Sequence, residues 1–520
     1  MRRLSAVLLL TLSASVTAGA QTIACENGMA VLPDVGGFEC DGVDLVGYLP
    51  PASFAVDGSP AAAEHNDIWG WTDPETGVEY ALVGTLNGVG FVDLSDPSVP
   101  RLVGKLPTAT SPSLWRDLKV YADHAFIVSE AAGHGMQVFD LTRLRTEAGE
   151  VPVLFDADAR YTGIGNAHNI VINEDTGFAY AVGARRLTTT QPAACDARGF
   201  HVIDIREPTS PTFVTCFSDE ALEADPYITR GYTHDAQCVV YTGPDADYTG
   251  RELCFGANED VVTIFDVSDK QNVQIVSQGE YPNDVYTHQG WLTEDQRYFL
   301  VNDEIDERSG ATLNQRTIVM DVRDLDDPEV AFIYDSGLST IDHNLYVRGS
   351  YAYEANYESG LRVLSLQGIG DGSLTEVAFF DTYPGGTATE YNGAWSVYPY
   401  FESGLVIVND IDSGLFVLKV QGSRVDTESG ASVGYALSQP VPNPAASGAR
   451  VTLTVDQPQT VRAELFDVAG RRLATVFDGE IGAGAPVTLD VNRGQLPSGV
   501  YLVRVTGERF ETSQRVVFAR

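Results

Sequence analysis

One phrase recurs along the chain and limits what it can become. It reads GVGFVDLSDPSVPRLVGKL from residue 88, GMQVFDLTRLR from 135, GFHVIDIREPTSPTFVTCF from 199 and DVVTIFDVSDKQNVQIVSQG from 260. It returns as RTIVMDVRDLDDPEVAFIYDSG from 316, GLRVLSLQGIGDGSLTEVAFF from 360 and GLFVLKVQG from 414. Each copy is a short apolar run, usually closed by Asp, then a polar turn, and in most copies a second run. Upstream lie further runs such as EYALVGTLN, HAFIVSEAA and GLVIVNDID. Short Val/Ile-rich runs punctuated by turn residues read as strands, about four per unit.

A polar step opens each unit, as in YTHQGW at 286–291, and sets the period. The markers are His65, Asp117, His168, His234, His288, His343 and Asn392, separated by 49 to 66 residues. Seven four-stranded units of this size predict an all-β fold, a seven-bladed β-propeller. An open solenoid of the same units would leave two sheet edges needing caps, and a closed ring avoids this. The last unit lacks an outer strand. The stretch GVDLVGYLP (42–50) is similar to VPRLVGKLP (99–107) and is expected to supply it by pairing onto the last blade.

The chain of 520 residues carries a net charge of -39, and only four of its 33 basic residues are Lys. Residues 1–20 and 435–520 are each slightly basic, so the acidity belongs to the region between. Such a surface opposes nucleic acid, which needs a cationic footprint, and it opposes an electrostatic hold on anionic lipid. It reads as a solubilising, salt-adapted surface or as a divalent-cation surface. Residues 1–20, MRRLSAVLLLTLSASVTAGA, have the form of a secretory signal peptide. The apolar run is too short to span a bilayer and no second such run follows, so no transmembrane segment is expected.

Six cysteines in an exported chain favour disulfides. Six allow fifteen connectivities. Local pairing, Cys25–Cys40, Cys195–Cys216 and Cys238–Cys254, brackets one strand-turn-strand stretch per pair. No C-x-x-C spacing supports a zinc site.

The inner strand of a propeller blade lines the central channel, so residues at its start gather at one mouth. Imidazole and carboxylate are good ligands for transition metals. The candidate metal ligands are therefore His65, His168, His234, His288, His343, Asp117 and Asp235. The competing reading is structural: one polar residue per unit ties neighbouring blades, with the same period and no ligand. Two acidic loops, NDEIDERSG (302–310) and GPDADYTG (243–250), offer oxygen ligands for calcium or are simply solvated. GASVG (430–434) fits G-x-S-x-G by letters only, without the strand and helix a nucleophile needs.

The -VDLSDP- and LVIVND phrases resemble the LVIVD-repeat family of secreted bacterial proteins. NAHNIVINEDTGFAYAVG, YTHDAQCVVYTGPDADYTG, THQGWLTEDQRYFLVNDE and YNGAWSVYPYF extend the resemblance to the subgroup called choice-of-anchor B proteins, over roughly residues 40–420. That resemblance implies a surface-delivered propeller of unassigned activity. At the other end, PNPA (442–445), LFDVAGRRL (465–473), LPSGVYLVRV (496–505) and RVVF (515–518) resemble the type A C-terminal sorting domain of the type IX secretion system. Alternating apolar residues there suggest a small immunoglobulin-like β-sandwich. The resemblance implies export across the outer membrane by the type IX machinery, then release or attachment to surface lipopolysaccharide.

The expected organisation is a signal peptide over 1–20, an N-terminal segment with the closing strand over 21–58 and the propeller over 59–422. A linker at 423–434 and the sorting domain over 435–520 follow. The expected function is binding or interaction through a propeller face. The alternative is a metal-dependent hydrolase or lyase at the histidine-lined mouth.

Overall fold

The computed structural model describes residues 22–518 except 34, 56–63, 147, 148, 150, 187–194, 196, 197, 220–230, 423–434, 439, 441, 444, 456, 457, 468–470, 484, 485 and 508–510. The N-terminal stretch 1–20, the linker 423–434 and GASVG lie outside the described residues. Among the described residues the fold is all-β, with helix confined to short turns.

Seven sheets follow one another among the described residues, antiparallel except where Val153–Leu154 pairs parallel on the edge of the first. Their first strands are His65–Thr72, Arg116–Tyr121, Asn169–Asn173, Asp235–Val240, Thr287–Leu292, Asn344–Arg348 and Ala394–Tyr398. Each first strand packs against those of the sheets before and after it, and the seventh packs against the first. The sheets are thus arranged cyclically, in a propeller-like way.

The second strands explain why the repeat reads as apolar runs and not as alternation. Leu405–Asp410 and Tyr298–Asp303 are buried along their whole length, because each sheet has a neighbour on both faces. Ile68 and Val83 of the first sheet meet Ile407 and Leu415 of the seventh. Phe255 and Ile264 of the fourth meet Phe299 and Ile318 of the fifth. Each such side chain contributes about 1.5–3 kcal/mol through burial. In six of the seven sheets a register shift interrupts the pairing of third and fourth strands. A bulge repeated at one place adds twist where the outer strand needs it.

The N-terminal segment is shared between two sheets. Val43–Leu49 pairs antiparallel with Gly414–Val420 as the fourth strand of the seventh sheet. Just before it, Met29–Leu32 and Gly36–Asp41 form a hairpin, and Cys40 and Asp41 pair with Phe380 and Phe379 on the edge of the sixth sheet. No repeat or motif in the sequence marks this second attachment. Cys25–Cys40, Cys195–Cys216 and Cys238–Cys254 are joined as disulfides.

Two further antiparallel sheets form the C-terminal part. One contains Tyr435–Leu437, Gly448–Val455 and Val487–Asn492; the other contains Arg472–Ile481, Gln459–Asp467, Gly499–Thr506 and Glu511–Phe518. They share one apolar cluster, including Val451, Leu465, Val503 and Phe518, to which no described residue before Leu437 contributes.

Candidate functional site

Register against the second strand decides which residues are equivalent. Leu118, Ile170, Ala236 and Leu345 pair with Ile127, Ala181, Gly256 and Glu354. One residue earlier stand Asp117, Asn169, Asp235 and Asn344, and two earlier stand Arg116, His168, His234 and His343. In the fifth sheet Gln289 and His288 take these two places, despite a bulge between Thr287 and Gln289.

Four imidazoles at the earlier position form an arc. Ring centroids lie 4.2 Å apart for His168 and His234, 4.3 Å for His234 and His288, and 4.4 Å for His288 and His343. Tyr357 continues the arc, 4.4 Å from His343. His234 Nδ1 lies 3.0 Å from the carbonyl of His288, and His343 Nδ1 lies 2.6 Å from that of Trp395. A carbonyl only accepts, so Nδ1 carries the proton in both rings and Nε2 keeps its lone pair. Burial, reinforced for His234 and His288 by neighbouring imidazoles, pushes all three rings down, His343 to about 3. They are neutral at physiological pH. His168 is held differently, with Nδ1 2.8 Å from Glu130 Oε1.

Carboxylates from the ends of second strands face this arc. Glu304 accepts a 2.6 Å hydrogen bond from the Tyr357 hydroxyl. Its oxygens stand 3.7 Å from His288 Nε2 and 3.7 Å from His343 Nε2. That is too long for hydrogen bonds. Burial pushes Glu304 up to about 7 and Glu259 likewise to about 7. Burial is also the largest influence on Glu130 and acts upward, but the His168 hydrogen bond together with the charges of His168, Arg198 and Arg185 holds it below its usual range. His288 Nδ1 is buried and has no hydrogen-bond partner. Ligand atoms of His234, His288 and Glu304 lie within 4.8 Å of one another.

Three of the seven sequence candidates are not in the arc. A bulge between His65 and Ile68 takes His65 out of register, and its Nδ1 meets Asn409 Oδ1 of the seventh sheet at 2.7 Å. Burial pushes His65 down to about 4. Asp117 sits one residue further in, where its carboxylate takes Lys119 Nζ at 2.6 Å and the Ile170 amide at 2.6 Å. Asp235 occupies the same layer and caps its neighbour's amide, Ala236 N, at 2.7 Å. The markers Asp117 and Asn392 therefore do not stand where the histidines do; Arg116 and Trp395 take those places near their strands.

That inner layer carries the expected tie between units. Asp67 accepts from Leu118 N at 3.4 Å, Asn169 donates to the His234 carbonyl at 3.2 Å, and Asn344 donates to the Trp395 carbonyl at 3.0 Å. Gln289 accepts from Leu345 N at 3.1 Å and donates to its carbonyl at 3.0 Å. Each bond reaches the next sheet. Repetition and histidine are thus partly separate: the tie belongs mainly to the residue after the histidine.

Of the acidic loops, 243–250 brings Asp245 near Asp324 and Asp326 at a partly exposed place. Asp245 accepts backbone hydrogen bonds there from Asp247 and Leu325. The sulfurs of Cys195 and Cys216 beside His201 are bonded to each other. They are not thiolate ligands.

Residues 441–519 match the family model described as the secretion system C-terminal sorting domain. A type IX tail of this kind directs export across the outer membrane to the cell surface or extracellular space. No curated protein matches the chain. Among solved structures, the chain is similar to the C-terminal WD40 domain of Sif2 at 8% identity and a TM-score of 0.41, covering 69% of this chain and 97% of that one. It is similar to the computationally designed Ika8 protein at 9% identity and a TM-score of 0.40, covering 77% and 97%. Among the described residues no helix is long and apolar enough to cross a membrane.

Proposed function

We propose that the chain is a secreted, seven-bladed β-propeller of the LVIVD, choice-of-anchor B kind, acting as a binding module at the cell surface. In this reading residues 1–20 are a signal peptide, 21–58 carry the closing strand, 59–422 form the propeller and 423–434 are a linker. Residues 435–520 form an immunoglobulin-like sorting sandwich whose removal leaves the protein released or attached to lipopolysaccharide. The cyclic order of the seven sheets and the matched tail support it.

The observation that carries the binding reading is the chemistry of the mouth. Neutral imidazoles with Nδ1 engaged present Nε2 as an acceptor, and Glu304 and Glu259 add carboxyl oxygens. Tyr357 and Trp395 add ring faces beside His343. A site rich in acceptors and aromatic faces suits a ligand rich in donors, a saccharide or an organic cation. An array of immobilised saccharides and polyamines, probed with wild type and a His288→Gln, Glu304→Gln double variant, tests it. Signal confined to wild type is expected; equal signal from both sinks the reading.

A second reading rests on the proximity of His234, His288 and Glu304. Two imidazoles and a carboxylate are a donor set for zinc or manganese. Metal analysis of the full chain, with and without chelator, separates the two. Stoichiometric metal lost in His288→Ala supports the ion; its absence in both proteins leaves the mouth to an organic ligand.

A further inference from the structure

A second acidic cluster lies beneath the mouth, between the fifth and sixth sheets. Asp306–Ser309 forms a single helical turn after the second strand of the fifth sheet. Its two acidic side chains point inward: Asp306 is 0% and Glu307 6% exposed. Asp342, on the approach to the first strand of the sixth sheet, is 1% exposed. Ligand oxygens of all three lie within 4.8 Å of one another.

Hydrogen bonding accounts for only part of this cluster. Arg316 Nε donates to Asp306 Oδ2 at 2.7 Å, and the Arg316 amide donates to Asp342 Oδ2 at 3.1 Å. Four buried oxygens remain without a donor: Asp306 Oδ1, Asp342 Oδ1 and both oxygens of Glu307. Nearby Asp303 brings no help, because its carboxylate is engaged by the amides of Val285 and Tyr286 and the hydroxyl of Tyr281. Three buried carboxyls therefore share one guanidinium. Buried carboxylates without donors are strongly unfavourable. Something positive must sit between them, a proton or a cation.

We propose that Asp306, Glu307 and Asp342 hold a calcium ion. The donors are all oxygen, which selects a hard cation over zinc or copper. Calcium accepts oxygen ligands in flexible geometry, whereas magnesium demands a near-ideal octahedron and keeps several waters, so a buried site of three protein carboxyls suits calcium better. The four oxygens without donors, completed by two or more waters, give the six to eight ligands calcium accepts. In the ion's absence, burial and the neighbouring carboxyls push Glu307 up to about 9 and Asp342 well above the carboxylate range, so protons compete for the same space. The 302–310 loop was one of two calcium candidates in the sequence. The structure adds the third ligand, Asp342, from another unit, and removes the solvated reading by burying the side chains. Glu304 lies two residues before Asp306, and His343 follows Asp342, so the ion would clamp two groups of the mouth. The cluster would hold the ion whatever the mouth binds.

The test is a melting and titration experiment on the full chain after dialysis against EGTA. Calcium chloride is expected to raise the melting temperature by several degrees at about 5 mM, above the affinity range of extracellular calcium modules, with magnesium chloride much weaker. Calorimetric titration should show a calcium site that disappears in Glu307→Gln and in Asp342→Asn. In EGTA both variants should melt no lower than wild type, because an amide replaces a carboxyl that must otherwise find a proton. No calcium heat and no melting shift in wild type would overturn the proposal, even if a variant failed to fold. So would a shift that persists in both variants, which would move the effect to Asp245, Asp324 and Asp326.

Discussion

Asp410 is fully buried at the end of the second strand of the seventh sheet, where it accepts the amides of Asp412 and Ser413. Burial pushes its carboxyl from 3.8 up to about 7. Between those values the native protein holds a proton that the unfolded chain has released. The stability tied to that proton is complete below about pH 4 and is lost as pH rises through about 7, a loss of roughly 2–4 kcal/mol. Asp410→Asn keeps the neutral form at every pH. Its melting temperature should fall less than that of wild type between about pH 5 and 8, and parallel curves would remove Asp410 from the account. At this scale the histidine arc was half legible. His168, His234, His288 and His343 share a motif and a register. His65 shares only the motif, because one extra residue before Ile68 shifts it, and nothing in the letters EHNDIW marks a bulge. Glu304 was not visible either. It closes a second strand, and acids close many strands in a chain with 72 Asp and Glu.

The elements were easier to read than their partners. Strands buried on both faces leave continuous apolar runs, and the similarity of GVDLVGYLP to VPRLVGKLP pointed to a shared fourth-strand role. The hairpin on the sixth sheet left no comparable trace, since MAVL and GGFECD repeat nowhere else. Its presence changes the expected effect of truncation. Removing residues 22–50 strips the edge of the seventh sheet at Gly414–Val420 and that of the sixth at Thr375–Phe380 together. Bare edges template pairing between chains. The truncated protein should form multimers on size exclusion and lose several degrees of melting temperature. An unchanged monomer with an unchanged melt would show that the segment is dispensable. Reduction of Cys25–Cys40 alone should be milder, about 3 kcal/mol for a loop of this length.

For the whole molecule, the separate apolar cluster of the C-terminal sheets divides folding from delivery. A chain ending at residue 422 keeps the seven sheets and loses the matched sorting region. It should accumulate in the periplasm, with the main calorimetric transition at the wild-type temperature and a smaller transition gone. Surface display of the truncated chain, or a collapsed main transition, would contradict that division. The ring order itself was readable from spacing, because seven near-equal units leave few alternatives. The clamp between Asp306, Glu307 and Asp342 was not, since it joins neighbouring units across a gap that no local pattern spans.

The shared N-terminal segment also sets a timetable. Apart from the hairpin just before it, Val43–Leu49 precedes every strand of the seven sheets, yet its partner Gly414–Val420 is the last of them. Gln421 and Asp44, hydrogen-bonded beside it, are 377 residues apart. Closure across such a distance is slow, because loop entropy is lost before the contact repays it. That strand must wait for its partner until the ring is otherwise built, so the finished circle is a checkpoint: a chain that stops short keeps its edge exposed and announces that it is incomplete.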